Sequence, residues 1–73
     1  MEARIRLRSQ LLEFLKFRVL AAQNTFFEPF EAKGELVAAP LKQWLASTWP
    51  EALALDDQDL LEVLQQARIL YVN

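Results

Sequence analysis

Residues 3–23 have the sequence ARIRLRSQLLEFLKFRVLAAQ, which contains neither glycine nor proline and predicts one long helix. At about 100° per residue, two adjoining faces of this helix are apolar and only a narrow stripe is polar. The first apolar face is Leu11, Leu12, Leu15, Val19 and Ala22; the second is Leu7, Phe14, Phe17 and Ala21; the polar stripe is Ser9, Glu13 and Lys16. A helix that is apolar over most of its circumference needs neighbours on more than one side.

Two shorter helices are predicted to follow. The second begins at Pro40, because proline is favoured in the first turn of a helix, and ends before Pro50. The third begins after Asp56, whose side chain is a favourable N-cap, and Asp57 and Asp59 then lie near the positive end of the helix dipole. The apolar face of this third helix is Leu60, Val63, Leu64 and Ala67.

The stretch between the first two helices, residues 24–39, is compatible with a short helix, a hairpin or a plain loop. Its three phenylalanines, Phe26, Phe27 and Phe30, are expected to fill the core from outside the main helices. The chain's one glycine, Gly34, is typical of a turn.

The fold class expected is all-α, alone or with a minimal strand pair, as one three-helix domain over residues 1–73. One strand of such a pair would lie at residues 35–38, expected as a short extended segment, and the other at 70–72, in a β-branched and aromatic tail. A single domain is all that a chain of 73 residues supports.

The composition excludes several classes of chemistry. Without histidine or cysteine, the chain has no imidazole catalyst, thiolate nucleophile, disulfide or zinc–thiolate site. Its single glycine rules out a glycine-rich phosphate loop, and the aspartates near residue 57 lack the spacing of a calcium loop. We therefore expect a non-enzymatic protein without metal or cofactor, with no membrane-spanning segment, located in the cytoplasm.

An unusually apolar composition favours a role in protein–protein interaction. Hydrophobic residues make up 53% of a chain too short to bury them all readily, and exposed apolar surface usually marks an interface. The expected function is that of a small subunit or adaptor that binds another protein or itself, with a homodimer as one form. The candidate partner-binding residues are Leu7, Phe14, Phe17, Trp44 and Trp49.

The distribution of charge along the chain favours an alternative function, nucleic-acid binding. Residues 1–18 hold five of the eight cations and two of the ten acids, and such a basic segment is typical of nucleic-acid contacts. The candidate nucleic-acid residues are Arg4, Arg6, Arg8 and Lys16. Arg4 and Arg8, however, share a face with Leu11 and Leu15, so either the first turns extend beyond the core or these arginines meet acids of the same fold.

The order of elements also resembles a winged-helix domain. The similarity covers residues 3–73 and lies in the spacing of apolar residues in GELV at 34–37, at 41–45, at 59–64 and in ILYV at 69–72. It implies a nucleic-acid-binding or transcription-regulatory role. The helix that would read DNA nevertheless begins with Asp56, Asp57 and Asp59, and carboxylates repel phosphates.

Overall fold

The computed structural model describes residues 2–73, and it confirms the expected fold class: three α-helices with one minimal antiparallel strand pair. The elements in chain order are α1 Glu2–Ala22, β1 Glu31–Ala32, β2 Glu35–Leu36, α2 Ala38–Thr48 and α3 Asp57–Tyr71. Short 3-10 turns at Gln23–Phe26, Glu28–Phe30 and Pro50–Ala54 connect them. Within the described residues, no helix is both long and apolar enough to span a bilayer.

The core lies between α1 and α3, with α2 packed across them. Leu11, Leu15 and Val19 of α1 are fully buried, as the four-residue spacing predicted. From the other helices the buried apolar residues are Ala38, Leu41, Leu45, Leu60, Val63, Leu64 and Ala67. Helices α1 and α3 run parallel, since contacts join Arg4 to Asp59 at one end and Lys16 to Tyr71 at the other.

The segment between α1 and α2 combines the turns and the hairpin. The two strands pair Glu31 with Leu36 and Ala32 with Glu35. Gly34 has φ +81°, the left-handed geometry that glycine adopts without strain, so its predicted place in a turn is confirmed. The expectation that phenylalanines fill the core from this segment is confirmed as well, with Phe27 and Phe30 buried and Phe26 packed against them.

The expected strand at residues 70–72 is not formed, because α3 continues through Tyr71. Gln23 explains this difference. It ends α1 with φ 56°, its amide donates to the Tyr71 carbonyl, and its side-chain oxygen accepts from the Asn73 N–H. Otherwise unpaired groups at the end of α3 are thereby satisfied, which favours the helix over a strand. No strand follows α3 in the described chain, in contrast to the winged-helix resemblance.

Helix α2 begins at Ala38, two residues before the predicted start at Pro40. Proline is accommodated in this first turn because the N–H groups there have no acceptor within the helix. The end of α2 before Pro50 and the Asp56 cap of α3 agree with the prediction.

Leu64 and Ile69 provide a matched test of this core, since both are aliphatic residues of α3. Leu64 is fully buried, whereas Ile69 is 79% exposed. Leu64→Ala is expected to lower the free energy of unfolding by about 2–5 kcal/mol through lost burial and a cavity. Ile69→Ala is expected to change it by less than about 0.5 kcal/mol. Urea unfolding at low protein concentration measures both, and equal losses would contradict the assigned core.

Candidate interaction surfaces

A buried carboxylate joins the first turns of α1 and α3. The residue Asp59 is only 1% exposed, and its two oxygens accept from Arg4 through Nε at 2.7 Å and Nη2 at 2.6 Å. Arg8 Nη1 donates to the same carboxylate at 2.9 Å and lies 3.0 Å from the Glu62 carboxylate. The arginines on the apolar face of the first helix therefore meet acids of the same fold, which decides between the two possibilities left open by the sequence.

These contacts shift the acidity of both carboxyl groups. Hydrogen bonding from Arg4 lowers the pKa of Asp59 below its ordinary value, and the charges of Arg4 and Arg8 add to this against the opposing effect of burial. The pKa of Glu62 is lowered mainly by a hydrogen bond from Gln58, with a further contribution from Arg8. Asp59 thus stays ionised at neutral pH and serves as a structural anion.

The three aspartates near the start of α3 have separate roles. Asp56 caps the helix by accepting from the Asp59 N–H at 2.8 Å, and Asp57 lies 3.1 Å from the Lys42 ammonium. In residues 2–73 no group of three acidic side chains gathers in a way that could hold a metal ion.

The four candidate nucleic-acid residues have different surroundings in the structure. Arg4 and Arg8 are bound to the carboxylates of α3, whereas Arg6 is exposed and forms no ion pair within the described chain. The Lys16 ammonium lies 5.8 Å from the Phe17 ring centre and 6.0 Å from that of Tyr71. The structure therefore does not bring the four cations together as one open basic surface.

The candidate partner-binding residues Phe14, Trp44 and Trp49 form one aromatic cluster between α1 and α2. The Phe14 ring lies 5.8 Å from Trp44 and 5.2 Å from Trp49, centre to centre. The Arg18 guanidinium stacks over Phe14 at 4.3 Å. Each of these three aromatic side chains is half-buried against the core, so ordinary packing accounts for much of its area.

A pocket of about 580 Å³ opens beside this cluster. Its walls are Thr25, Phe26, Pro29, Phe30, Pro40, Gln43 and Trp44. Aromatic and proline side chains supply most of the lining, which makes the pocket a second apolar surface near the end of α1.

The remaining two candidates lie apart from the aromatic cluster. Leu7 is half-buried and lines a separate cavity of about 380 Å³ beside Leu55 and Asp59. Phe17 projects from α1 with 73% of its surface exposed. The five predicted residues therefore do not form one continuous site.

Phe17 belongs to a continuous exposed surface along α1, which we call the outer face. It consists of seven exposed residues and the half-buried Lys16; the exposed residues are Glu2, Ile5, Arg6, Ser9, Glu13, Phe17 and Leu20. Ile5 is 60% exposed and Leu20 is 41% exposed, whereas Leu11, Leu15 and Val19 on the opposite side of the same helix are completely buried. Sequence reasoning assigned Ser9, Glu13 and Lys16 to a solvated stripe and did not identify the apolar residues flanking them as an exposed set.

Comparisons with known proteins add no assignment: no family model matches the chain, and searches of curated proteins and of solved structures give no significant match. The interaction surfaces must therefore be judged from their geometry alone.

Asp59 provides a test with a defined pH dependence. Because its pKa is depressed in the folded state, the carboxylate stabilises the fold above the unfolded-state value of 3.8, and this contribution is lost as the pH falls through the lower folded-state value. Asp59→Asn is expected to lower the melting temperature at pH 7 and to reduce its fall in acid. Asp57→Asn, at an exposed ion pair, serves as control and is expected to have a much smaller effect. Thermal unfolding from pH 7 to pH 2 measures this, and identical profiles for the two variants would contradict the structural role of Asp59.

Proposed function

We propose that this chain is a non-enzymatic protein-interaction module that binds its partner through the outer face of α1. The observation that carries the proposal is the exposure of Phe17 and Ile5 on a helix whose other side already completes the core. Large exposed apolar side chains interspersed with polar ones are frequent at interaction surfaces.

Phe17 is the residue expected to contribute most to binding. Aromatic side chains bury a large area with few rotatable bonds, and they are frequent among residues that dominate binding energy. Exposed charged groups around Phe17 on the outer face would form a polar rim, as is common in protein interfaces. The aromatic pocket beside Trp44 supports the same class of function as a second surface.

A winged-helix-like nucleic-acid-binding or regulatory protein is the alternative function. Arg6 and Lys16 would carry it, helped by the exposed part of Arg4. The pairing of Arg4 and Arg8 with Asp59 weakens this alternative, because neutralised cations attract phosphate less. The cytoplasmic location and the homo-oligomeric state expected from the sequence stay predictions.

Site-specific photocrosslinking in the cells that produce the protein tests the proposed function. A benzophenone amino acid replaces Phe17 in one variant and Gln65, an exposed residue of α3, in the control. The proposal predicts discrete protein adducts, with this chain or another protein, from position 17 and none from position 65. Adding Ile5→Ser and Leu20→Ser to the position-17 variant is expected to reduce the yield severalfold by removing apolar contact area.

Two results would contradict the proposed function. One is the absence of any protein adduct from position 17, and the other is the same adducts from both positions. Nucleic acid in the adducts, together with in vitro binding that weakens steeply with salt, would favour the alternative.

A further inference from the structure

We propose that the partner is a second copy of this chain, packed antiparallel against the outer face of α1 about a two-fold axis near Ser9 and Gln10. This inference rests on the proposed function and specifies its partner. Three features support it: the order of charges along α1, the position of the exposed apolar residues and, within residues 2–73, the lack of ion pairs at Arg6 and Glu13.

The outer face has the length and shape of a helix–helix contact. At about 100° and 1.5 Å per residue, its eight side chains fall within an arc of about 120° along a helix about 30 Å long. They include two sets with seven-residue spacing: Glu2, Ser9 and Lys16, and Arg6, Glu13 and Leu20. Seven-residue spacing keeps side chains facing a neighbouring helix along its whole length.

The charges on this face alternate in sign along the helix. The series of signs read from the N-terminus is therefore the opposite of the series read from the C-terminus. From the N-terminus they are negative at Glu2, positive at Arg6, negative at Glu13 and positive at Lys16. In an antiparallel pair with its axis between residues 9 and 10, Arg6 of one copy lies level with Glu13 of the other. Glu2 then lies within one residue, about 1.5 Å along the axis, of Lys16 of the other copy.

A parallel pair in the same register would place each of these charges opposite its own copy. Like charges would then meet at four positions, whereas the antiparallel pair brings opposite charges together at the same four positions. Charge pairs of this kind determine partner choice and orientation more than affinity. The charge order therefore selects a second, antiparallel copy.

The exposed apolar residues have counterparts in the same arrangement. Ile5 and the half-buried Leu12 lie on the same flank of the outer face. In an antiparallel pair, this flank of one helix lies against the same flank of the other helix. Ile5 of one copy lies within about 3 Å, along the helix axis, of Leu12 of the other. Phe17 lies over the first turn of the opposite helix, near Glu2 and Ala3. Burial of these side chains, repeated by symmetry, supplies the driving force for association.

Contacts within one copy leave most of this face available, although the Lys16 ammonium already lies over the Phe17 and Tyr71 rings. In residues 2–73, neither Arg6 nor Glu13 takes part in an intramolecular ion pair, in contrast to Arg4 and Arg8 on the opposite side of the helix. The core and the Asp59 contacts hold α1 in place, so the face is formed before a partner binds and association loses little conformational entropy.

Charge reversal, measured by sedimentation equilibrium, tests the arrangement. Arg6→Glu and Glu13→Arg each convert two symmetry-related attractions into repulsions, and each is expected to raise the dimer dissociation constant about tenfold. The double variant R6E/E13R is expected to return to within about threefold of the unmodified chain. An equimolar mixture of the two single variants is expected to form a heterodimer, because its opposing residues are again of opposite charge.

Two further variants control for net charge. Lys33→Glu and Glu51→Arg make the same charge changes at exposed positions away from the outer face, and both are expected to leave the dissociation constant unchanged. Circular dichroism confirms that every variant is folded before its association is measured.

Three results would overturn the inference. A chain that stays monomeric up to about 1 mM contradicts a second copy as partner and leaves the proposed function to the photocrosslinking result. A dimer that R6E and E13R do not weaken contradicts the antiparallel register. Single variants that dissociate but do not recover in the double variant or the mixture contradict the pairing of Arg6 with Glu13.

Discussion

The carboxylate of Asp59 is buried between the first turns of α1 and α3, where ionisation is tolerated only because Arg4 and Arg8 bind it. This requirement fixes two degrees of freedom of the fold. It sets the level at which α1 lies beside α3, and it sets the rotation of α1 about its own axis. Leu11, Leu15 and Val19, which follow the arginines on the same side, then enter the core. Removal of the carboxylate would leave Arg4 without its ion-pair partner and Arg8 with Glu62 alone.

The same contact determines what α1 presents outside. Because Arg4 and Arg8 reach towards α3, the polar stripe through Ser9 and Glu13 lies on the far side of α1, with Ile5 and Phe17 along its edges. A long helix that closes the core with one side therefore carries a mixed apolar and charged surface on the other. In a protein without histidine or cysteine, this surface and the aromatic pocket beside Trp44 are the features best suited to a function. The excess of apolar residues in the composition and the partition of the arginines both support the proposal that the chain acts through contact with another protein chain.

Local patterns were sufficient to predict most of the fold. Four-residue spacing identified the buried faces of α1 and α3, and Asp56, Pro50 and Gly34 marked ends and turns through their own stereochemistry. Of the two expected strands, the one within residues 35–38 is present as β2, whereas the one at 70–72 is wrong. The end of α3 is decided by Gln23, which lies 48 residues from Tyr71 in the chain, and no local propensity contains that contact. Asp59 was assigned only to the helix dipole. A signal did exist: Asp59 shares its four-residue spacing with the apolar Val63 and Ala67, and an acid on a buried face requires a cation. The packing of α2 decides which of the candidate surface residues stay exposed. The sequence alone therefore does not distinguish the exposure of Phe14 from that of Phe17.

The account is tested most directly by an intermolecular paramagnetic relaxation measurement. The chain contains no cysteine, so a single Ala3→Cys variant carries a nitroxide at an exposed site without altering the charges of the outer face. This spin-labelled variant is mixed with ¹⁵N-enriched chains that carry no nitroxide. Loss of amide signal in the ¹⁵N-enriched chains reports the distance between the two copies. An antiparallel pair places residue 3 of one copy level with residue 16 of the other, about 20 Å along the helix from the other copy's own residue 3. Signal losses are therefore predicted to centre on residue 16 of α1 and to spread over about one helical turn on either side. Losses centred on residues 2–6, or no intermolecular losses at concentrations where the chain is dimeric, would contradict it.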